Sequence, residues 1–308
     1  MTPDELLPAA DRAVRCAVFA EEIGVDPGGT ALHVDEIVVV DLPRPWPKPV
    51  WAKEGVTEVP AWTEAAAAAG RRVRVLAAVP VDGRPPRVVV HRRTGAGFRR
   101  TEIDTTPTQV VDLLAAIVRD GEVPGVESSA PSTELLVCGQ GSHDVCCGSR
   151  GPELVAALGA ARPDLAVTCV SHTGGHRFAP TALSLPDGRM WGGLDLAAAL
   201  AVVDRTGRPS DVAARCRGWT GAAPGPAQVA ERAVWAAVDD WSFDALDRSV
   251  LPGDTLDGVT PWWVEADGRT WEVEVVEGRP VPTITCGAPG GMPAKPGREW
   301  RAVAVRGR

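Results

Sequence analysis

The chain has 308 residues, room for two or three domains of about 100–150 residues each, and 44% of it is hydrophobic, which excludes wholesale disorder. A net charge of -8 argues against a general nucleic-acid binder, and no run reaches the roughly 18 apolar residues of a membrane helix. The start, MTPDELLPAADRAVRC, is acidic and lacks the apolar stretch of a signal peptide, so a soluble cytoplasmic protein is expected.

Residues 3–22 carry helical periodicity and end at a turn-rich GVDPGGT. HVDEIVVVDL (33–42) predicts a buried strand, because its β-branched run is continuous. PRPWPKP is too rich in proline for a helix or a central strand. A short helix is expected over 62–70, strands over 72–80, 86–93 and 98–104, and an amphipathic helix over 107–119. GEVPGVESSAP (121–131) has the composition of a linker. The order then repeats: strand 133–138, a Gly-containing loop, helix 152–161 with Pro152 in its first turn, and strand 165–171. A hairpin follows over 181–194 about a Pro-Asp-Gly turn, then a helix over 195–205 capped by Asp195. The last third predicts a helix over 226–238, a hairpin over 260–278 with an Asp-Gly turn, and a strand over 300–306. GAPGGMPAKPG there lacks the Gly-Lys-Ser/Thr ending of a phosphate loop and is expected as a surface loop.

Both of the first two thirds read β-α-β-β-α, the order of a thioredoxin-like core. The expected fold class is therefore α/β, with a thioredoxin-like domain, an internal duplication in which only the second copy kept its chemistry, and a small C-terminal α+β appendage. The corresponding domains are 1–125, 126–208 and 209–308.

Seven cysteines stand at 16, 138, 146, 147, 169, 216 and 286. Four fall between Cys138 and Cys169, and three of the five histidines (His143, His172, His176) lie in or just after that stretch, which in a cytoplasmic chain points to metal or redox chemistry. Cys138 and Cys147 are spaced Cys-x8-Cys, and His172 and His176 are spaced His-x3-His about two glycines. A strand delivers the first residue of each pair to a loop, so both pairs are expected to converge at one end of a sheet. Two cysteines and two histidines suit zinc, or a [2Fe-2S] cluster with two Cys on one iron and two His on the other. The spacing leaves both open, although eight intervening residues fit around a larger object than one ion.

CGQGSHDVCCGSRG followed by SHTGGHRFAPTALSLPDG resembles the sucrase/ferredoxin-like family, and HTGGHRFAP is the most specific part of the match. GGTALHVDEIVVVDLPRPWP and PAQVAERAV extend the resemblance over most of the chain. It implies a thioredoxin-like ferredoxin whose [2Fe-2S] cluster is held by Cys138, Cys147, His172 and His176. Gly139-Gln140 stands where the family commonly has Thr-His, which puts any role of that polar pair in doubt. The "sucrase" half of the family name finds no support, since no pair of carboxylates is singled out for glycoside hydrolysis.

The expected function is a one-electron carrier with proton coupling, working between an unidentified reductase and acceptor, with no nucleic acid and no membrane as partner. A zinc-stabilised binding module is the alternative. A thiol oxidoreductase using Cys146 and Cys147 is a third, weakened by the missing Cys-x2-Cys. His143 is expected near the metal rather than on it. Cys169 is expected in the core, Cys16, Cys216 and Cys286 as isolated structural residues, and His33 and His91 as structural histidines. Of Trp262 and Trp263, one ring is expected in the core and one at the surface.

Overall fold

The computed structural model describes residues 2–125, 133–142, 145–255 and 259–308. In chain order its elements are α1 (Cys16–Glu22), β1 (Glu36–Asp41), α2 (Val59–Ala68), β2 (Val73–Ala78), β3 (Arg87–Thr94), β4 (Gly97–Asp104) and α3 (Val110–Leu114). They continue with β5 (Glu134–Cys138), α4 (Val145–Ala161), β6 (Ala166–Val170), β7 (Thr181–Leu185), β8 (Arg189–Gly192) and α5 (Leu196–Asp204). The rest are α6 (Pro209–Val212), β9 (Cys216–Trp219), α7 (Pro226–Val238), β10 (Arg248–Pro252), β11 (Pro261–Ala266), β12 (Arg269–Thr283) and β13 (Lys295–Gly307). None of these helices is long and apolar enough to cross a membrane.

The molecule is α/β, with a large mixed sheet and a second, smaller one. Nine strands run in the order β4-β3-β1-β2-β6-β5-β7-β8-β9, and four antiparallel strands form β10-β11-β12-β13. In the nine-stranded sheet β1 pairs parallel with β2 and antiparallel with β3, and β3 pairs antiparallel with β4. The second half has the same scheme: β5 is parallel to β6 and antiparallel to β7, and β7 is antiparallel to β8. The halves join at the C-terminal ends of β2 and β6, where Ala78 opposes Val170 and the Ser171 N–H donates to the Ala77 carbonyl at 2.7 Å.

The hydrophobic pattern explains why the sheet is covered on both faces. In β1, Val38 and Val40 pack outward with Leu114 and Ile117 of the α3 segment, while Ile37 and Val39 face inward. In β5, Leu135 and Val137 pack outward against Leu154 and Leu158 of α4, while Leu136 faces inward. The inward sets belong to one cluster, Ile37, Val39, Leu76, Val89 and Phe98 meeting Leu136, Leu183, Leu185 and Met190, so the sheet curls and its halves share an interior. A strand buried on both faces reads as an unbroken apolar run, as EIVVVD and ELLVC do.

The small sheet and α7 pack on the second half. Their contact holds a fully buried ion cluster: Arg189 lies 2.8 Å from Glu231 and 2.7 Å from Asp244, and Arg248 lies 2.9 Å from Glu231. Trp235 and Trp219 cover the two guanidinium groups at 4.0 and 4.1 Å.

Three expectations need correction. The periodicity of residues 3–22 yields only a 3-10 turn at Asp4–Leu6 and the short α1, because Pro8 and the turn at 10–11 interrupt it. The helix expected over 152–161 begins at Val145, with Pro152 inside it. Gly148, Gly151 and Pro152 suggest a loop, yet Gly151 serves close packing, since a Cβ there would overlap the Cys138 carbonyl oxygen. The helix expected over 107–119 runs as α3 and then a π-helical turn, Ala115–Asp120. The 181–194 hairpin and the Asp195 cap agree with expectation, the Asp195 carboxylate accepting from the Ala198 N–H at 2.8 Å. Most of the 121–131 segment lies outside the described residues.

Candidate metal centre

β5 ends on Cys138, and only residues 139–144 separate it from the first turn of α4. That short connection lays the helix start beside the strand end, and Cys147, its third residue, meets Cys138. Both cysteines are fully buried. β6 ends on Val170, parallel to β5 and paired with Cys138, so the HTGGH segment leaves the sheet at the same edge. Gly174 and Gly175 take φ of 84° and 71°, which turns the chain back into a 3-10 turn that starts at His176.

Cys138 contacts both Cys147 and His172, and His176 stands next to His172 with ring centroids 6.4 Å apart. The four residues singled out in the sequence therefore gather at one edge of the sheet. The Cys138 thiol is held well below the ordinary thiol range, first by the hydrogen bond from Cys147, with His172 and the N–H groups of Gln140 and Thr173 adding to it against the opposing effect of burial. Cys147, a donor to that sulfur, sits in the first turn of a 17-residue helix, where unsatisfied N–H groups favour negative charge. Two sulfurs and two imidazoles in one place form a donor set for zinc or for an iron–sulfur cluster.

Three arginines surround this set, and sequence reasoning did not find them. Arg217 is wholly buried and its pKa is pushed down to about 10 by desolvation, opposed by the nearby sulfurs of Cys138 and Cys147. Its guanidinium donates to the Gly174 carbonyl at 3.1 Å and to the Thr30 hydroxyl at 3.1 Å, and a Cβ at Gly175 would run into it. Arg74, on β2, is also depressed by burial, with Cys138 opposing, and donates to the His172 carbonyl. Arg44, from the proline-rich segment, donates to the Gly139 carbonyl at 3.2 Å and to the Cys169 sulfur at 3.3 Å. Isolated arginines in an arginine-rich sequence carry no signal of this.

Gln140 proves structural. Its buried amide accepts from the His172 N–H at 3.1 Å and donates to the Pro47 carbonyl at 2.8 Å, tying both ligand-bearing loops to the first half of the sheet. Cys169 is half-buried against Arg44 rather than in the core, and burial pushes its thiol up. Trp262 packs on the core cluster of the second half, while Trp263 lies under Arg308 at 4.7 Å. His91 is buried 3.5 Å from Glu134, and His33 lies against Arg72. His143 and Asp144 lie outside the described residues.

The expectation that Cys16 and Cys286 are isolated is overturned. Both lie beside Cys146, with sulfurs at 3.7 and 3.6 Å, although 130 and 140 residues separate them from it in the chain. Cys146 and Cys147, adjacent in the first turn of α4, thus face different thiols. Residues so far apart in sequence give no spacing motif, which is why the pattern was invisible.

A family model described as sucrase/ferredoxin-like matches residues 27–218. The chain is 38% identical over 58 residues to altered inheritance of mitochondria protein 32 of Kluyveromyces lactis. That match covers 18% of this chain and 18% of the relative. No solved structure matches. With the family model spanning more than half of its length, the chain belongs to the sucrase/ferredoxin-like family.

Proposed function

We propose that the protein is an electron carrier whose [2Fe-2S] cluster is held by Cys138, Cys147, His172 and His176, on the second of two thioredoxin-like modules produced by duplication. The observation that carries the reading is the meeting of Cys138, Cys147 and His172, with His176 adjacent, from a strand end, a helix start and one loop. The matching strand pairing of the two halves supports the duplication.

The residues fit such a group. A buried thiol already biased toward thiolate is a ready ligand, and backbone N–H groups aimed at its sulfur are a known lever on cluster potential. Arg217 and Arg74 offset negative charge in a site that burial would otherwise penalise. When bound, the cluster supplies one-electron redox chemistry at a potential above that of an all-cysteine site, because neutral imidazoles replace two thiolates. Cys138 and Cys147 hold the dry side of the site. His172 and His176 are half-exposed, so the imidazole edge is the contact for a reductase and an acceptor. Each imidazole holding the cluster would keep a second ring nitrogen able to give up its proton on oxidation, which would couple the electron to a proton.

A visible absorption spectrum of anaerobically purified protein, before and after dithionite, tests the reading. A red-brown chromophore that partly bleaches is expected. A colourless protein with zinc at full occupancy of these four residues, not converted by iron and sulfide, would replace it with the structural-zinc reading.

A further inference from the structure

We propose that Cys16, Cys146 and Cys286 form a second metal site, a three-thiolate pocket for one thiophilic ion such as zinc. The proposal uses none of the four cluster ligands, but it borders them, since the Cys16 sulfur lies 3.3 Å from His176 Nδ1.

Among the described residues, these three offer sulfurs that all lie within 4.8 Å of one another. The Cys16–Cys146 and Cys146–Cys286 separations are 3.7 and 3.6 Å. An ion with Zn–S bonds of about 2.3 Å and tetrahedral angles spaces its sulfurs about 3.8 Å apart. Two edges of the triangle therefore already have the required length, and the third is no longer than 4.8 Å. A disulfide would need one pair to close to about 2.05 Å and would strand the third thiol.

The convergence is built by the backbone. The loop that carries Cys286 lies along the segment that carries Cys16: Gly287 N–H donates to the Val14 carbonyl at 2.9 Å, Gly290 N–H to the Arg12 carbonyl at 3.0 Å, and Ala13 bridges Pro289. The Cys16 N–H points at the Cys286 sulfur at 3.5 Å. Cys146 approaches from the N-terminal turn of α4, where helix N–H groups favour a thiolate. Arg150 and Arg177 lie close enough to feel the charge on these sulfurs, Arg150 that of Cys16 and Cys146 and Arg177 that of Cys16, so a site with net negative charge is balanced. Soft thiolates in a buried pocket select zinc or copper(I) over hard cations. An ion there would staple the N-terminal helix and the C-terminal loop to the start of α4, one residue from Cys147.

The test is zinc stoichiometry on the full chain, loaded with zinc alone under anaerobic reducing conditions and freed of loose metal. Relative to wild type, Cys16→Ser and Cys286→Ser are expected to hold one zinc fewer. A Cys138→Ser/Cys147→Ser double variant is expected to keep that zinc, whether or not the cluster reading is right. Equal zinc in wild type and in Cys16→Ser and Cys286→Ser would overturn the proposal. If the serine variants do not fold, alkylation of wild type decides: zinc should slow labelling of half-buried Cys286 at least tenfold, and no protection rejects the site. A disulfide between any two of the three in anaerobically purified protein rejects it as well.

Discussion

The two halves of the nine-stranded sheet share one pairing scheme and differ in what they do with it. In the first, the connection from strand to helix runs from residue 42 to residue 58 and is rich in proline. In the second it is residues 139–144. A short connection sets a helix start, with its exposed N–H groups, against a strand end, and both positions carry cysteine. The first half has no cysteine between residues 17 and 137. It contributes cations instead: Arg44 and Arg74 reach across to the Gly139 and His172 carbonyls. The same topology thus becomes a donor centre or its electrostatic support according to loop length and residue type.

Removing the donors should abolish that distinction. On the proposed reading, Cys138→Ser and His172→Ala are each expected to eliminate most of the chromophore the cluster would give, read as iron per chain and absorbance after anaerobic purification. Full colour in either variant would move the ligands elsewhere.

The halves also differ in what supports them from outside. The second leans on α7 and the small sheet through the buried cluster of Arg189, Arg248, Glu231 and Asp244. Removing Glu231 leaves two buried guanidinium groups short of a partner, so Glu231→Ala should cost about 3–5 kcal/mol in urea unfolding. A loss below about 1 kcal/mol would mean that water enters and solvates the arginines.

A third prediction addresses the interior shared by the halves, where His91 of β3 meets Glu134 of β5. Burial, helped by the charge of Arg100, lowers the His91 pKa to about 3. The unfolded chain takes that proton near pH 6.5 and the folded chain does not, so the stability contributed by His91 falls as pH drops from about 6.5 toward 3. The loss at pH 5 is about 2 kcal/mol. Glu134 is shifted the other way by burial, so it takes its proton more readily when folded and offsets part of the loss at lower pH. His91→Gln should flatten the dependence between pH 7 and 5, whatever it costs at neutral pH. An unchanged slope would show that His91 is not the group responsible.

How much of this was legible follows from the range of the signals involved. The strands of the first two thirds, the 181–194 hairpin and the Asp195 cap depend on residues within a few positions of each other and agree with expectation, whereas β9 and β10 were not expected and β13 is longer than its expected 300–306. The pairs Cys138/Cys147 and His172/His176 stand out in the sequence because each is a local spacing, and the structure brings them to one edge of the sheet. The start of α4 is hidden from the sequence, since Gly148, Gly151 and Pro152 signal a loop, whereas in the fold Gly148 packs on Gly141 and Gly151 on the Cys138 carbonyl. Cys16 and Cys286 were misjudged for the same reason: contacts spanning more than a hundred residues leave no periodicity. The buried arginines are of that kind too.

Arg217 offers the finest test of the division between donor and support. It reaches the centre from β9, beyond both halves, and is wholly buried against the Gly174 carbonyl and Thr30. At a depressed pKa of about 10 it is still cationic at neutral pH. In the proposed carrier, reduction would add one negative charge to the centre, and a fixed cation nearby would stabilise that state more than the oxidised one. Arg217→Gln should therefore lower the reduction potential by tens of millivolts, roughly 1 kcal/mol or more on a one-electron scale where 59 mV is about 1.4 kcal/mol. Arg217→Lys keeps the charge and should recover most of the difference in a spectroelectrochemical titration. Equal potentials for the glutamine and lysine variants would reduce Arg217 to a strut for the glycine turn. A shift in the glutamine variant alone would make its charge part of how the centre is tuned.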